Sequence, residues 1–354
     1  MKAFDKVPHS EVHNAVSELG IGGRALEWLD SFLANRTFRL RIGDSISAPA
    51  DVTSGVIQGT SLGQIFYAIF IDGLLRAIRL PSQGYADDFK FIADVNVYTR
   101  ADVQHEINII AGWTDEHGTP LSVDKCSVMH CGPHQSNYDY YINSTKISSV
   151  DSVRDLGVKR STDSTYSEHC NDVIAKANST CGALRRIFKS GHRSLLWPAF
   201  VSYVLPVLSH CSSVWNPYLK RDISALESVQ RNFTRRIRGL EQLSYNDRLA
   251  ELSALTLENR RHLTDMSVVY KFLHGLVNCQ ASDVGLQLTA TSTRGGGIHL
   301  VQQRPRTRVC ANLFPLRAAT LWNKTDLAIL NLRTLTNFKT ALSKQLALQQ
   351  TLAL

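Results

Sequence analysis

The sequence predicts an α+β fold, with a small antiparallel sheet packed against helices up to about residue 160 and a mostly helical region after it. Up to that point, segments with the alternation of strands are interspersed with segments of helical spacing. From about residue 165 onward the pattern is mostly helical. The composition, with 44% hydrophobic and 20% charged residues in 354, is typical of a globular protein with a buried core.

The first 35 residues predict two helices separated by glycines. Val12, Val16 and Leu19 share one helical face, and a second helix follows the break at Gly20. Alternating apolar and polar residues then predict a pair of strands with a turn near Gly43-Asp44.

Two helices with apolar faces are predicted next, at 64–78 and 101–117. The first is an apolar run, and the second carries Val103, Ile107 and Ile110 at helical spacing. Strand-like segments surround and follow the second helix up to the predicted boundary near residue 160.

The stretch YADDFKFI places two adjacent carboxylates, Asp87 and Asp88, among apolar residues. Adjacent like charges repel each other, and their burial is costly without a cation. We expect a hairpin turn whose following strand, with Phe89 and Phe91, packs against the helix at 64–78. Such a pair can hold the two metal ions, usually Mg²⁺, of phosphoryl transfer. An exposed turn without a ligand is the alternative.

Five segments resemble the motifs of reverse transcriptases, in the order of that family. They are KAFDKVPH (2–9), SGVIQGTSLGQIFYAIFIDGL (54–74), YADD with its apolar flank, AGWTDEHGTPLSVDKCSVMHCG (111–132) and VRDLGV (153–158). Later segments, including LSHCSSVWNPYLKRDISALESVQRNFTRRIRGL and LFPLRAATLWN, resemble the region that follows the palm in non-LTR retrotransposon polymerases.

The resemblance implies an incomplete polymerase palm at 1–160, a helical thumb-like region at 161–240 and a C-terminal helical extension at 241–354. It implies an RNA-directed DNA polymerase that uses an RNA template, a DNA primer and deoxynucleoside triphosphates, with Asp87 and Asp88 as Mg²⁺ ligands.

The resemblance also implies roles for four further residues. Phe4 matches the aromatic residue below the ribose, with a plain core position as the alternative. Gln58 and Gly59 match the loop that contacts the templating base and the nucleotide, with a plain turn as the alternative. Lys125 matches a basic residue that can protonate pyrophosphate, with a solvated lysine beside Asp124 as the alternative.

The chain departs from the family pattern at its start. The first catalytic carboxylate of the family lies three residues before the position of Lys2, and the fingers subdomain precedes it. We therefore expect an N-terminally truncated polymerase that is inactive or nearly so, in which Asp5 caps the next helix and binds no metal. A non-catalytic nucleic-acid-binding protein and a non-functional retroelement remnant are the alternatives.

Two basic clusters lie in the helical region. A predicted helix over 222–238, begun by Asp222 and ended by Gly239, carries Arg231, Arg235 and Arg238 as a stripe. The second cluster consists of Arg185, Arg186, Lys189 and Arg193. Together with a net charge of +8, these residues favour contact with the phosphates of template and primer, and a solvated basic face is the alternative.

Other functional classes are disfavoured by the sequence. The residues Cys126, His130, Cys131 and His134 would diverge on a strand, which argues against a zinc site. The apolar stretch 195–215 contains two prolines, so a buried helix pair is preferred to a membrane span. Seven irregularly spaced cysteines and no apolar leader indicate an intracellular protein, with nucleus or cytoplasm and the oligomeric state left open.

Overall fold

The computed structural model describes residues 3–132, 137–289 and 298–352. The chain divides into two compact units, Met1–Val150 and Asp151–Leu354. Each unit mixes helices with short strands, and the fold is α+β as the sequence predicts. The predicted division into palm, thumb-like region and extension stays a prediction.

The first unit consists of four helices and ten short strands in its described part. Its elements in chain order are a 3₁₀ helix at Ala3–Asp5, α1 (His9–Glu18), α2 (Arg24–Leu33), β1 (Thr37–Phe38), β2 (Arg41–Ile42), β3 (Ser45–Ile46), β4 (Ala50–Asp51), α3 (Ser61–Ala77), β5 (Ser82–Tyr85), β6 (Asp88–Phe91), α4 (Arg100–Glu116), a 3₁₀ helix at Val123–Lys125, β7 (Ser127–Val128), β8 (Tyr141–Ile142), β9 (Thr145–Lys146) and β10 (Ser148–Ser149).

The second unit begins with one hairpin and is otherwise helical in its described part. Its elements are β11 (Ser152–Asp155), β12 (Val158–Ser161), α5 (Ser167–Ile187), α6 (Arg193–Tyr203), α7 (Leu205–Ser209), α8 (Ser212–Trp215), α9 (Lys220–Thr234), α10 (Tyr245–Glu251), α11 (Leu257–Leu273), a 3₁₀ helix at Ala281–Val284, α12 (Arg308–Ala311), α13 (Phe314–Asn323), α14 (Leu327–Leu330) and α15 (Leu335–Leu352).

The strands pair two by two. Within the described residues there are six two-stranded sheets, of which only the pair β7–β10 is parallel. The predicted turn at Gly43-Asp44 is confirmed, because it joins the antiparallel strands β2 and β3. The described strands of the first unit thus form separate two-stranded pairs.

The core of the first unit forms around α3, which begins where the Thr60 hydroxyl accepts a hydrogen bond from the Gly63 N–H. Phe66 and Phe70 of α3 pack with Val12 of α1 and Leu29 of α2. The glycine-separated helix pair and the apolar helix at 64–78 are therefore confirmed.

The predicted helix at 101–117 is confirmed as α4. Thr99 and Asp102 form a capping box at its start, in which each side chain accepts a hydrogen bond from the other's backbone N–H. Val103 and Ile107 of this helix pack against Ile142 of β8, so the apolar face predicted from the spacing is the buried face.

The core of the second unit has two apolar clusters. One lies among α5, α6, α7 and α9 and contains the fully buried Trp215. The other lies among α11, α13 and α15, where Tyr270, Trp322 and Phe338 are buried together. Burial of such aromatic side chains stabilises a fold by roughly 1.5–3 kcal/mol each relative to exposure.

A buried ion pair ties α11 to α13 in the second unit. The Asp265 carboxylate is fully buried and accepts a hydrogen bond from Arg317 Nε at 2.8 Å. The same guanidinium donates to the carbonyl oxygens of Asn312 and Ser213. Because the donors of Arg317 are shared among these acceptors, one side chain fixes the relative positions of three segments.

The basic helix predicted over 222–238 differs from the structure at both ends. The helix α9 begins at Lys220 after Leu219, because the Asp222 carboxylate is buried and accepts a hydrogen bond from the Ser167 hydroxyl. It ends at Thr234, since the Arg238 N–H donates to the Gly191 carbonyl. The predicted N-cap at Asp222 and the continuous stripe through Arg238 are therefore wrong.

The apolar stretch 195–215 forms most of α6, α7 and α8, with Pro198 inside α6. Leu196, Phe200 and Leu208 are buried in the core of the second unit. Among the described helices, none is both long enough and apolar enough to cross a bilayer.

Replacing Arg317 by Met should destabilise the second unit by about 3–5 kcal/mol, because the Asp265 carboxylate would stay buried without its partner. The measurement is urea unfolding of the full chain followed by far-UV circular dichroism. The matched control is Arg333→Met, since Arg333 is exposed and its replacement should change the stability by less than about 0.5 kcal/mol. Equal unfolding midpoints for the two variants would contradict the role of the buried pair.

Candidate active site

The carboxylate pair lies at a β-hairpin turn, as predicted. Strands β5 and β6 pair antiparallel, with Tyr85 opposite Asp88, so that Ala86 and Asp87 are the two turn residues. Ala86 has φ 53°, in the left-handed region that two-residue hairpin turns require. Asp88 is the first residue of the returning strand. Both carboxylates are therefore held at one tight turn.

The apolar flank of the pair anchors the hairpin. Phe89 and Phe91 of β6 pack on a cluster that contains Leu74 and Ile78, at the end of α3 and just beyond it. The predicted packing of this strand against the helix is confirmed. Asp87 and Asp88 themselves are exposed.

Tyr67 of α3, which the sequence pattern did not single out, stacks on Phe4 and is affected by the charge of Asp87. The Tyr67 side chain is buried, and burial together with the negative charge of Asp87 raises its pKa to about 12. Its ring stacks on the Phe4 ring, with the centroids 4.0 Å apart and the planes at 22°. In the sequence, the feature that could have pointed to Tyr67 is a tyrosine hydroxyl within an otherwise apolar helix. Phe4 and Tyr67 thus form a stacked pair, and the charge of Asp87 acts on the tyrosine.

The loop at 54–58 is bonded to the 3₁₀ helix that contains Phe4 and Asp5. The Gln58 amide donates to Asp5 Oδ1 at 2.6 Å, and the Ser54 hydroxyl donates to the Asp5 carbonyl at 2.9 Å. The Val56 N–H donates to the Phe4 carbonyl at 2.9 Å. Two segments that are about fifty residues apart in sequence are therefore held side by side.

The expectation that Asp5 caps α1 is wrong. Pro8 occupies the N-cap position and offers no side-chain cap, whereas Asp5 belongs to the preceding 3₁₀ helix. Its carboxylate accepts the Gln58 hydrogen bond instead. Asp5 therefore orients the side chain of a residue that was predicted to contact the nucleotide.

Glycine is required at position 55 by the approach of the two segments. A Cβ atom on Gly55 would lie 2.7 Å from Asp5 Cα, and the residue has φ 91°. Gly59 also has a positive φ, 82°, but the space around a Cβ atom there is open. Gly55 is thus required by the close contact with Asp5, whereas the space around a Cβ atom at Gly59 stays open.

Residues 1–160 match the family model described as "Reverse transcriptase (RNA-dependent DNA polymerase)". The match covers somewhat less than half of the chain, and over these residues the chain is similar to reverse transcriptases. The family binds a nucleic-acid template and primer in general. The matched residues include Phe4, Gln58, Gly59, Asp87 and Asp88.

A curated relative is an uncharacterized protein of Caenorhabditis elegans, B0403.1, which is 29% identical over 126 residues. The similarity covers 35% of this chain and 64% of the relative. The chain thus spans less than two thirds of the length of that relative.

Lys125 lies within the residues that match the family model, at the end of the 3₁₀ helix Val123–Lys125, and is exposed. The nearby Cys126 thiol donates to the Ser122 carbonyl at 3.5 Å, and His130 stacks on Tyr140. His134 lies outside the described residues. Over 3–132, 137–289 and 298–352, no group of three or more His, Cys, Asp or Glu side chains is arranged to hold a metal ion.

The predicted nucleic-acid-binding arginines all lie in the second unit. Arg231 is exposed on α9, with its guanidinium carbon 5.0 Å from the centroid of the Tyr245 ring. Arg235 is the C-cap of α9, and Arg238 lies in the following turn. Arg185 Nε donates to the Cys181 carbonyl within α5, and Arg186 beside it is exposed. Their contact with nucleic acid stays a prediction.

Replacing Gly55 by Ala should destabilise the first unit, because the new methyl group overlaps the Asp5 backbone. We expect a loss of about 1–3 kcal/mol from this overlap, in addition to the strain of an alanine at positive φ. The measurement is urea unfolding of the full chain, with Gly43→Ala as the matched control.

Gly43 has φ 61° and open space around a Cβ atom, so its variant carries the backbone strain without the overlap. A Gly55→Ala variant as stable as Gly43→Ala would contradict the close approach of the two segments.

Proposed function

We propose that the chain is part of the RNA-directed DNA polymerase of a non-LTR retrotransposon, with its catalytic carboxylates at Asp87 and Asp88. The observation that carries the proposal is the tight turn with adjacent carboxylates inside the segment that matches the reverse transcriptase family. The later segments of the chain support the non-LTR origin by their resemblance to such polymerases.

The donor set at the turn fits Mg²⁺. This ion prefers oxygen ligands, keeps several waters, and is usually held by one or two carboxylates together with phosphates of the substrate. Asp87 and Asp88 are exposed, so a hydrated ion can reach them without disruption of the core. When bound in the intact polymerase, two such ions lower the pKa of the attacking hydroxyl and neutralise the pyrophosphate that leaves.

The protein's own residues would place the nucleotide beside the turn. The Phe4 ring is fixed by its stack on Tyr67 and can support the sugar. The Gln58 amide is oriented by Asp5, and the open space at Gly59 lets a base or a nucleotide approach the backbone. Lys125 remains the candidate proton donor to pyrophosphate.

The second unit is proposed to bind the template and the primer through Arg231, Arg235, Arg238, Arg185 and Arg186. Support comes from the positions of Arg231, Arg235 and Arg238 at the end of α9 and in the turn after it, where each is exposed. A second candidate function, a nucleic-acid-binding protein without catalysis, is favoured by the same exposed charges. The two candidates differ in whether the carboxylate turn binds metal and supports DNA synthesis.

Mn²⁺, used as a probe for the Mg²⁺ site, should bind to the full chain and lose that binding when Asp87 and Asp88 are both replaced by Asn. The reason is that the amides keep the size of the side chains but remove both charges from the turn. The measurement is the electron paramagnetic resonance signal of free Mn²⁺ during a titration. The matched control is Asp44→Asn, since Asp44 is an exposed aspartate in the β2–β3 turn.

The control variant should bind Mn²⁺ as the parent does. If the double variant retained the parent's Mn²⁺ affinity, or if Asp44→Asn lost as much, the assignment of the ligands to the carboxylate pair would fail.

Primer extension by the chain in Mg²⁺ should stay at the background defined by the Asp87→Asn, Asp88→Asn variant. The turn contributes two acidic side chains. Among the described residues, no group of three or more His, Cys, Asp or Glu side chains is arranged to hold a metal ion. A missing metal ligand should cost about a thousandfold in rate, or roughly 4 kcal/mol of transition-state stabilisation. The measurement is extension of a labelled DNA primer on an RNA template.

Robust Mg²⁺-dependent extension that disappears in the double variant would show that a further group completes the site. The first residue to replace would then be Asp5, because it lies in the 3₁₀ helix that is bonded to the loop at 54–58.

A further inference from the structure

We propose that His9 is a positioning residue for the nucleotide and that it acts through the peptide group between Gly55 and Val56. The inference rests on the proposed function and deepens it. The peptide group is bonded to Phe4 and begins the loop of Gln58, and these two residues are proposed to meet a deoxynucleoside triphosphate. In this role His9 orients the residues beside the nucleotide and does not touch the nucleotide itself.

The His9 side chain reaches from the first residue of α1 to the glycine loop. It is half-buried, and its Nε2 atom lies 3.1 Å from the Gly55 carbonyl oxygen. A carbonyl oxygen can only accept a hydrogen bond, so Nε2 carries a proton and donates it. The neutral ring protonated at Nε2 and the charged ring both make this bond, which therefore does not depend on the charge of His9.

The peptide group between Gly55 and Val56 is held on both of its sides. Its carbonyl oxygen accepts from His9, and its N–H, which belongs to Val56, donates to the Phe4 carbonyl at 2.9 Å. Gly55 and Val56 are both buried, so each of these bonds satisfies a polar group that water reaches poorly. Because a peptide group is planar and rigid, two bonds on opposite sides fix its orientation.

This peptide group is one end of the loop that carries Gln58 and Gly59. At the other end, the Thr60 hydroxyl donates to the Ile57 carbonyl at 2.9 Å and accepts from the Gly63 N–H at the start of α3. Gln58 and Gly59 are exposed between these two attachments. A loop that is fixed at both ends loses little conformational freedom when a ligand binds, and such pre-organisation raises affinity.

Backbone contacts join the same two segments independently of the His9 side chain. The Gly55 N–H donates to the Val7 carbonyl at 2.8 Å, and Pro8 forms an antiparallel bridge with Ser54. These contacts persist when the side chain at position 9 changes. Loss of the His9 donor would therefore leave the segments together and free the Gly55 carbonyl to turn. We expect this change to misplace the nucleotide-contacting residues without unfolding the first unit.

The test compares two amides at position 9. The amide nitrogen of glutamine lies as many bonds from Cα as the Nε2 atom of histidine does, whereas that of asparagine lies one bond closer. His9→Gln should therefore keep the hydrogen bond to Gly55, and His9→Asn should lose it, although both variants carry the same chemical group. The measurement is isothermal titration calorimetry of the full chain with dATP in the presence of Mn²⁺.

His9→Asn should raise the Kd for dATP about tenfold, and His9→Gln should stay within about twofold of the parent. The matched control is His13→Asn, since His13 lies on the same helix but contacts Asp30 of α2 at 2.7 Å. This control should bind dATP as the parent does. The affinity for Mn²⁺ without dATP should be the same in all four proteins, because the proposed ligands lie in the β5–β6 hairpin. A general loss of structure would weaken the binding of both Mn²⁺ and dATP.

The inference alone is overturned if the parent binds both ligands and His9→Asn binds dATP equally well. It is also overturned if His9→Gln or His13→Asn loses as much affinity for dATP as His9→Asn does, or if His9→Asn loses Mn²⁺ as well. A parent that binds Mn²⁺ but not dATP would refute the positioning role and leave the metal site standing. A parent that binds neither ligand would refute the proposed function, and the inference with it.

Discussion

The candidate active site depends on the close approach of Gly55 to the backbone of Asp5. Only a residue without a Cβ atom fits at this point, since an added Cβ would lie 2.7 Å from Asp5 Cα. The approach lets the Ser54 hydroxyl and the Val56 N–H bond to the 3₁₀ helix, and it brings the Gln58 amide within reach of the Asp5 carboxylate. The same 3₁₀ helix presents Phe4 to Tyr67. One steric constraint therefore positions the residues that would meet the nucleotide.

Charged groups occur in two different environments in the second unit. Inside the unit, Asp265 and Arg317 form a buried pair whose donors are also satisfied by backbone carbonyls. Such a pair fixes the packing of helices, although its net contribution to stability is small compared with the cost of breaking it. At the end of α9 and in the next turn, Arg235 and Arg238 are exposed. Exposed charges add little to folding stability, so the packing of the unit does not depend on these two arginines.

The sequence could predict the elements whose pattern is local. The spacing of Val103 and Ile107 predicted α4, and the apolar flank of the carboxylates predicted the β5–β6 hairpin. The predictions that were wrong depended on tertiary contacts, which no local pattern in the sequence indicates. Asp222 looks like an N-cap, but Ser167, fifty-five residues earlier, donates to its carboxylate in the core. The Arg238 N–H is taken by Gly191, so the helix ends before that residue. The effect of the Asp87 charge on Tyr67 and the hydrogen bond from Gln58 to Asp5 were not predicted for the same reason.

The hairpin shows why two adjacent carboxylates can lie in an apolar stretch. Asp87 and Asp88 are exposed, so water screens the repulsion between the two carboxylates. The burial of apolar surface offsets the remaining repulsion between the carboxylates, because Phe89 and Phe91 of β6 pack against the end of α3. Side chains alternate between the faces of a strand, so a slip of one residue in register would expose both phenylalanines. The apolar residues thus fix which carboxylate lies in the turn and which begins the strand.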